Sequence, residues 1–346
     1  MDTLDLTLDE RHDLPAELLR INAREIRKLF PDPCLVELKG RSEETVFVSV
    51  LLHGNETTGF SVLQRLARWM RNHPLPRTLL IFIANVRAAE AGLRHLAGQP
   101  DYNRIWNGGD SPEDALAERV LDKLSGRRLF AAIDIHNNTG RNPLYGCINS
   151  LEPDFLHLAS MFSPTVVYFR NPASVISMAL SRLCPAVTVE AGRPGVPAGV
   201  ERAFDLVHDT LHLGAFRHSG RDRDLTVYHT VGRMEIEPGW RIGFTPTSDA
   251  PLLFPSGMDE WNFSPRQTGP RWARVSHPGI PLRVFNAARQ DITERFFDRQ
   301  DDGLVLVRDA TPSMITLDTN IIRDDCFGYL MEEIDLDNQQ VMAAEI

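Results

Sequence analysis

TVFVSVLLHGNETTG, residues 45–59, changes character at one point. Residues 45–52 are almost wholly apolar and rich in β-branched side chains, the profile of a short strand buried on both faces. HGNE follows at once, and apolar residues then recur at Phe60, Leu63, Ala67 and Met70, a spacing that suits a helix face. The helix is expected to stop near His73-Pro74, because proline disfavours helical geometry in the residue before it. The same alternation repeats outward. TLLIFIAN (78–85), AAIDIH (131–136) and AVTVE (186–190) read as further buried strands, with helical patterns at Glu113–Leu124 and Gly199–Leu213. Strands alternating with helices imply an α/β fold: a mixed, mostly parallel sheet with helices on both faces.

In open α/β sheets, sites gather beyond the carboxyl ends of the strands. Three of the four strands end on a residue that can bind metal or move a proton: His53, His136 and Glu190. A lone H-x-x-E is common by chance, and a lone histidine at a strand end is more often a hydrogen-bonded structural residue. Here they coincide at successive strand ends. His53 and Glu56 share a strand-to-helix loop, where a tight turn can bring imidazole and carboxylate onto one ion. His136 supplies a third ligand. Asp134, two residues earlier on the strand, points to the same face and is placed to orient it. Two histidines and a glutamate, with one position open for water, form the ligand set of catalytic zinc hydrolases. One zinc per chain is therefore expected. Glu190, at an apolar strand end, is suited to have a raised pKa and act as general base, its bland alternative being a cap on the turn that follows.

HGNE (53–56), DYNR (101–104), DIHNNTG (134–140) and VTVEAG (188–193) together resemble, in order, the motifs of the succinylglutamate desuccinylase/aspartoacylase family. That family has the zinc-carboxypeptidase-like fold, and the resemblance spans roughly residues 45–210. It implies His53, Glu56 and His136 as zinc ligands and Glu190 as the base. It also implies that Asn103 and Arg104 grip a substrate carboxylate, a task that a bidentate guanidinium fork suits. Arg94 would polarise the scissile carbonyl and stabilise the oxyanion, although two extra residues separate it from Asp101 compared with the family pattern. The stretch NNTGRNPLYG departs from the family's sequences after the third ligand, and neither Arg141 nor Arg182 matches a family position for an acyl-group charge. The reaction class therefore carries over, and the substrate stays open.

The rest of the chain bounds the function further. From about Leu225, runs such as LTVYHTVGRMEI, PLRVFNA and GLVLVRD alternate with Pro/Gly-rich turns. This predicts a catalytic domain over 1–217 and a smaller, mainly β domain over 225–346, joined by the charged segment HSGRDRD (218–224). A net charge of −10 argues against a general nucleic-acid binder, since no basic surplus is present to displace phosphate counterions. Only Lys28, Lys39 and Lys123 are lysines, so arginine supplies nearly all the positive charge. No apolar run approaches the ~20 residues that span a bilayer. The acidic start MDTLDLTLDE lacks the positive and apolar regions of a signal peptide, and four scattered cysteines form no framework, so a cytoplasmic location with reduced thiols is expected. His208 and His212, spaced i and i+4 on one helix face, are a rival metal pair, but Asp209 is one methylene short of the glutamate in H-E-x-x-H. The expected partner is a small carboxylate-bearing amide, with neither nucleic acid nor membrane involved, and a homo-oligomer is compatible with the sequence. The main expectation is a zinc-dependent amidohydrolase that deacylates an N-acyl amino acid. A metallocarboxypeptidase acting on short peptides and a non-catalytic metal- or ligand-binding protein are the alternatives, and an intact Glu190 argues against the last.

Overall fold

The computed structural model describes residues 6–216 and 224–336. These fall into two compact units, one of Met1–Asn138 with Leu144–Leu225, the other of Thr139–Pro143 with Thr226–Ile346. Of the expected linker, residues 218–223 lie outside the described residues.

The first unit holds strands β1 (Asp9–Arg11), β2 (Cys34–Leu38), β3 (Ser42–Val50), β4 (Arg77–Ile83), β5 (Leu129–His136), β6 (Tyr145–Ile148), β7 (Thr165–Tyr168) and β8 (Ala186–Glu190). Its helices are α1 (Thr58–Trp69), α2 (Val86–Ala91), α3 (Pro112–Ser125), α4 (Pro153–Ser160), α5 (Ile176–Leu180) and α6 (Pro197–His212). The strands form one sheet in the order β1-β2-β4-β3-β5-β8-β6-β7. It is parallel at β1–β2, β3–β4, β3–β5, β5–β8 and β6–β7, and antiparallel at β2–β4 and β6–β8. The mixed, mostly parallel sheet expected from the sequence is the one observed. Central strands β4 and β8 are buried at every residue, as their unbroken apolar runs require. Helices α1 and α6 pack against each other and over β3 and β5. Ser111 caps α3, with Pro112 in its first turn and the Asp114 side chain returning the hydrogen bond.

The boundaries matter most at β3. The apolar run continues to Leu52, but the strand ends at Val50, because Leu51 takes a left-handed backbone with φ 59°. A non-glycine residue held there costs on the order of 1–3 kcal/mol. Burial of the Leu51 side chain and a hydrogen bond from Asn85 N–H to its carbonyl (2.8 Å) hold it in place. The chain thereby leaves the sheet and turns at once into HGNE. Gly54 is required there, since a Cβ would lie 2.2 Å from the backbone of Ala88 in α2.

The second unit is mainly β, with strands β9 (Thr226–Ile236), β10 (Ile242–Gly243), β11 (Leu252–Leu253), β12 (Arg271–Val275), β13 (Leu282–Phe285), β14 (Phe297–Gln300), β15 (Gly303–Leu306), β16 (Thr311–Ser313) and β17 (Gly328–Glu333), and, among the described residues, one short α-helix, α7 (Thr319–Asp324). Long β9 pairs antiparallel with β13 and β17, and β16 pairs with β17. A five-stranded sheet runs β10-β11-β12-β15-β14. Its core is aromatic, with Trp272 edge-on to Phe297 at 5.0 Å and Phe254 stacked on Phe327 at 4.4 Å. The three β-rich runs picked out in the sequence contain β9, β13 and β15. Thr139–Pro143 belongs with this unit: Asn142 accepts a hydrogen bond from Met314 N–H (3.0 Å).

Candidate active site

Register brings the strand-end residues together. His136 of β5 pairs with Glu190 of β8, so the two side chains leave the sheet on the same face at its carboxyl edge. His53 and Glu56 arrive from the loop after β3, the neighbour of β5 on its other side.

Three donors converge. His53 Nδ1 lies 2.8 Å from Glu56 Oε1, and His136 Nδ1 lies 2.9 Å from Glu56 Oε2. Among the described residues this is the one group of three or more whose ligand atoms all fall within 4.8 Å of one another. All three side chains are buried, at 3%, 7% and 3% exposure, where an unpaired ionised carboxylate would be costly. Burial opposes the charge on Glu56, but His53 and His136 outweigh it and hold its carboxyl well below the usual range. Burial likewise opposes the charge on His136, yet Asp134 and Glu56 raise its pKa well above the ordinary histidine value. Two imidazole nitrogens and a carboxylate aimed at one point, in a buried pocket that favours positive charge, fit a divalent cation.

Each imidazole is also held from behind. Asp134 Oδ2 lies 2.7 Å from His136 Nε2, the arrangement expected from D-x-H on one strand face. Asp134 in turn accepts from Ser49 Oγ of β3 (2.7 Å) and Thr188 Oγ1 of β8 (3.2 Å), which stand beside it in the sheet register. The partner of His53 was not foreseen. Asp101 Oδ1 lies 2.9 Å from His53 Nε2. Burial would raise the Asp101 carboxyl, but the hydrogen bond and charge of His53, with Arg94 and Arg104 nearby, hold it far below its usual value. Both histidines therefore show the carboxylate–imidazole pairing that fixes ring orientation in metal centres. The Asp101→Asn variant is expected to bind metal about 10- to 100-fold more weakly, measured by competition with a chelator. An unchanged affinity would mean that His53 is oriented by other contacts.

Asn137 ties the motif loops together, which the sequence did not reveal either. Its backbone N–H donates to Glu56 Oε2 (2.9 Å), and its side chain accepts from Thr58 N–H (3.1 Å). Its Nδ2 donates to Thr58 Oγ1 (2.8 Å) and to the Gly192 carbonyl (2.7 Å). The HGNETT, DIHNN and EAGR segments thus share one buried carboxamide. Only the juxtaposition of Asn with His136 was visible beforehand.

Glu190 is buried, and Asn138 Nδ2 donates to its Oε2 at 3.4 Å. Burial pushes the Glu190 carboxyl up to about 7, with Glu56 adding to the rise and His136 opposing it. The same burial, with Glu190 and Asp134 nearby, pushes the Cys147 thiol well above its normal range. Cys34, Cys184 and Cys326 are pushed up to about 12 by burial. These thiols stay protonated and are poor nucleophiles.

The remaining site residues lie on the loops after α2. Arg94 Nε and Nη2 donate to Asp101 Oδ2 (3.1 and 2.9 Å), and its Nη1 lies 3.6 Å from Glu56 Oε1, beside the three-donor centre. Asn103 lends its side-chain oxygen to Ile176 N–H at the start of α5 (3.0 Å), so its amide nitrogen is the part left to donate. Arg104 Nη1 donates to the Asn103 carbonyl (2.8 Å). Arg182 is exposed, and Arg141 pairs within the second unit with Glu260 and Asp259.

Comparison with known proteins bears on the fold and on the stretch that carries these motifs. Residues 42–203 match the model of the succinylglutamate desuccinylase/aspartoacylase catalytic domain. No curated protein matches the chain. Among solved structures, a succinylglutamate desuccinylase/aspartoacylase from Rhodobacter sphaeroides is similar, with 17% identity, TM-score 0.58, and 87% of this chain and 89% of that one covered. The succinylglutamate desuccinylase from Chromobacterium violaceum has 17% identity, TM-score 0.55 and the same two coverages, 87% and 89%. Murine aminoacylase 3 has 16% identity and TM-score 0.54, covering 85% of this chain and 96% of that one. At these identities the structures speak to the fold, and the motif-bearing match speaks to descent. Residues 42–203 are thus similar to the catalytic domain of the succinylglutamate desuccinylase/aspartoacylase family.

Proposed function

We propose that the protein is a zinc-dependent amidohydrolase that removes the acyl group from an N-acyl amino acid or a related small carboxylate-bearing amide. The observation that carries this reading is the meeting of His53 Nδ1, His136 Nδ1 and both Glu56 oxygens beside Glu190, a carboxyl poised near neutrality. His53, Glu56 and His136 would hold one zinc ion per chain, which would supply Lewis acidity toward a water and an amide carbonyl. Glu190 takes the proton from the attacking water and returns it to the departing nitrogen, which is why a pKa near the working pH suits it. Arg94, braced by Asp101, offers positive charge to the developing oxyanion. Asn103 Nδ2 and the Arg104 guanidinium hold the substrate carboxylate and so set the position of the scissile bond. A cytoplasmic location belongs to the same proposal and rests on four free cysteines.

The test is a hydrolysis screen of zinc-loaded protein with N-acyl amino acids, the matching amides lacking the carboxylate, and short peptides. Release of free amino acid only from the carboxylate-bearing N-acyl compounds is the expected result. Preferred cleavage of peptides would move the protein to the carboxypeptidases. No hydrolysis by zinc-loaded protein would leave a binding protein.

A further inference from the structure

The carboxyl edge of the sheet does not hold all the histidines that could ligate. Helix α6 begins beside Glu190, where Gly199 passes so close to the Ala191 carbonyl that a Cβ would lie 1.9 Å from its oxygen. It then runs back along the sheet. At its far end, Arg77, the first residue of β4, donates to the Leu211 carbonyl (3.1 Å) and the Gly214 carbonyl (3.3 Å). The last turn of α6 therefore sits at the amino edge. A helix of 16 residues separates the two edges by roughly 24 Å at ~1.5 Å per residue.

His208 and His212 stand on that last turn, one helical turn apart, with ring centroids 4.4 Å from each other. His208 is partly exposed and His212 is exposed. Each Nδ1 already has an acceptor: Asp209 Oδ1 at 2.9 Å for His208, and the His208 carbonyl at 2.8 Å for His212. A neutral imidazole with its proton engaged at Nδ1 keeps its lone pair on Nε2. This is the pairing, one carboxylate and one backbone carbonyl, that orients histidines in metal centres. It is also the arrangement seen at His136, with the roles of the two nitrogens exchanged. Trp69, at the end of α1, meets both rings edge-on at 5.2 and 5.7 Å and so limits their motion.

We propose that His208 and His212 form a second metal site on this chain, a two-imidazole chelate for a borderline divalent transition ion, taken up through the two Nε2 atoms. No third ligand among the described residues joins them within the reach that defines the first centre. Water completes the coordination, and the site is an open, exchangeable one. Among such ions copper(II) binds nitrogen ligands most tightly, with zinc and nickel weaker. Asp209 serves as the acceptor that fixes the His208 ring.

The experiment is copper(II) titration of metal-free, full-length protein, reading metal per chain and tryptophan emission together. Wild type is expected to bind one more ion per chain than the His208→Gln/His212→Gln variant, and filling of that extra site is expected to quench Trp69. Trp69→Phe should keep the extra ion and lose that part of the quenching, which separates a lost reporter from a lost site. Equal stoichiometry in wild type and the double variant overturns the proposal, as does an extra ion that survives both substitutions. The outcome is independent of the zinc hydrolase reading. If the centre at His53 took no copper, wild type would bind one ion and the double variant none, and the second site would stand.

Discussion

Glu190→Gln is expected to keep the metal and lose about 10²- to 10⁴-fold in turnover, the range that a positioned proton-transfer group contributes. Glutamine matches glutamate in shape and can keep the Asn138 contact, so the buried pocket has no reason to collapse. What it lacks is a basic oxygen. The wild-type protein is expected to lose kcat/KM on the acid side, about tenfold per pH unit once the carboxylate is protonated. Burial places the Glu190 carboxyl near 7 in the metal-free chain, and a cation bound alongside lowers it, so the limb of the loaded protein lies below 7. The variant should lack this limb.

The same substitution has a second, opposite signature. The folded-state pKa of Glu190 lies above its unfolded value of 4.5, so burying this group is least costly below that value, and stability is lost as pH rises through about 7. Glutamine carries no such penalty. Metal-free Glu190→Gln is therefore expected to be more stable than metal-free wild type at about pH 8, by about 1–3 kcal/mol in denaturant unfolding. Activity falling while stability rises is the mark of a group kept strained for function. Near-normal turnover in the variant would remove Glu190 from the chemistry, and equal stability of the two proteins would mean that its burial is compensated.

Why some of this site was legible in the sequence, and some was not, follows from the range of the signals. A strand buried on both faces is a continuous apolar run, so the residue that breaks the run marks the carboxyl edge. His136 and Glu190 are the last residues of their strands for that reason. His53 follows the same rule with a difference. Its strand stops at Val50, and the two further leucines belong to the exit, where Leu51 is left-handed. Apolar composition records burial and says nothing of φ. Asp134 was legible because residues two apart on a strand share a face. Asp101 was not, since nothing in a loop residue's neighbours tells which side chain it meets 48 positions away. Asn137 sits beside His136, but its role depends on three loops meeting in space. Edge strand β1, with three residues, and its neighbour β2, with five, carry too little pattern to stand out, and β6 and β7 are only four residues each. The placement of Thr139–Pro143 with the second unit has no local signal at all, since contacts to Met314 and its neighbours decide it.

Metal affinity is expected to climb with pH, and the reason lies in the charge state of the empty donor set. Glu56 stays ionised between two imidazoles, and the raised pKa of His136 keeps a proton at the point where a cation would be held. That proton must leave before His136 can ligate. Affinity should rise about tenfold per pH unit for one displaced proton, levelling off once the pH passes the metal-free pKa of His136. Stability carries the same sign. A histidine whose folded pKa exceeds its unfolded value of 6.5 contributes stability that is fully present below that value and lost as pH rises through the folded one. Metal-free protein should therefore weaken with rising pH while zinc-loaded protein does not, and the gap between their unfolding temperatures should widen from about pH 6 to about pH 8. His53→Ala and His136→Ala each delete a donor, so each should weaken zinc binding by more than the 10- to 100-fold typical of an outer partner. His136→Ala should also flatten the pH dependence, since the displaced proton goes with the ring. Chelator competition across that pH range, on wild type and both variants, decides the matter. A wild-type affinity that does not change with pH would mean that no proton is held between Glu56 and His136, and the electrostatic account of this centre would be wrong.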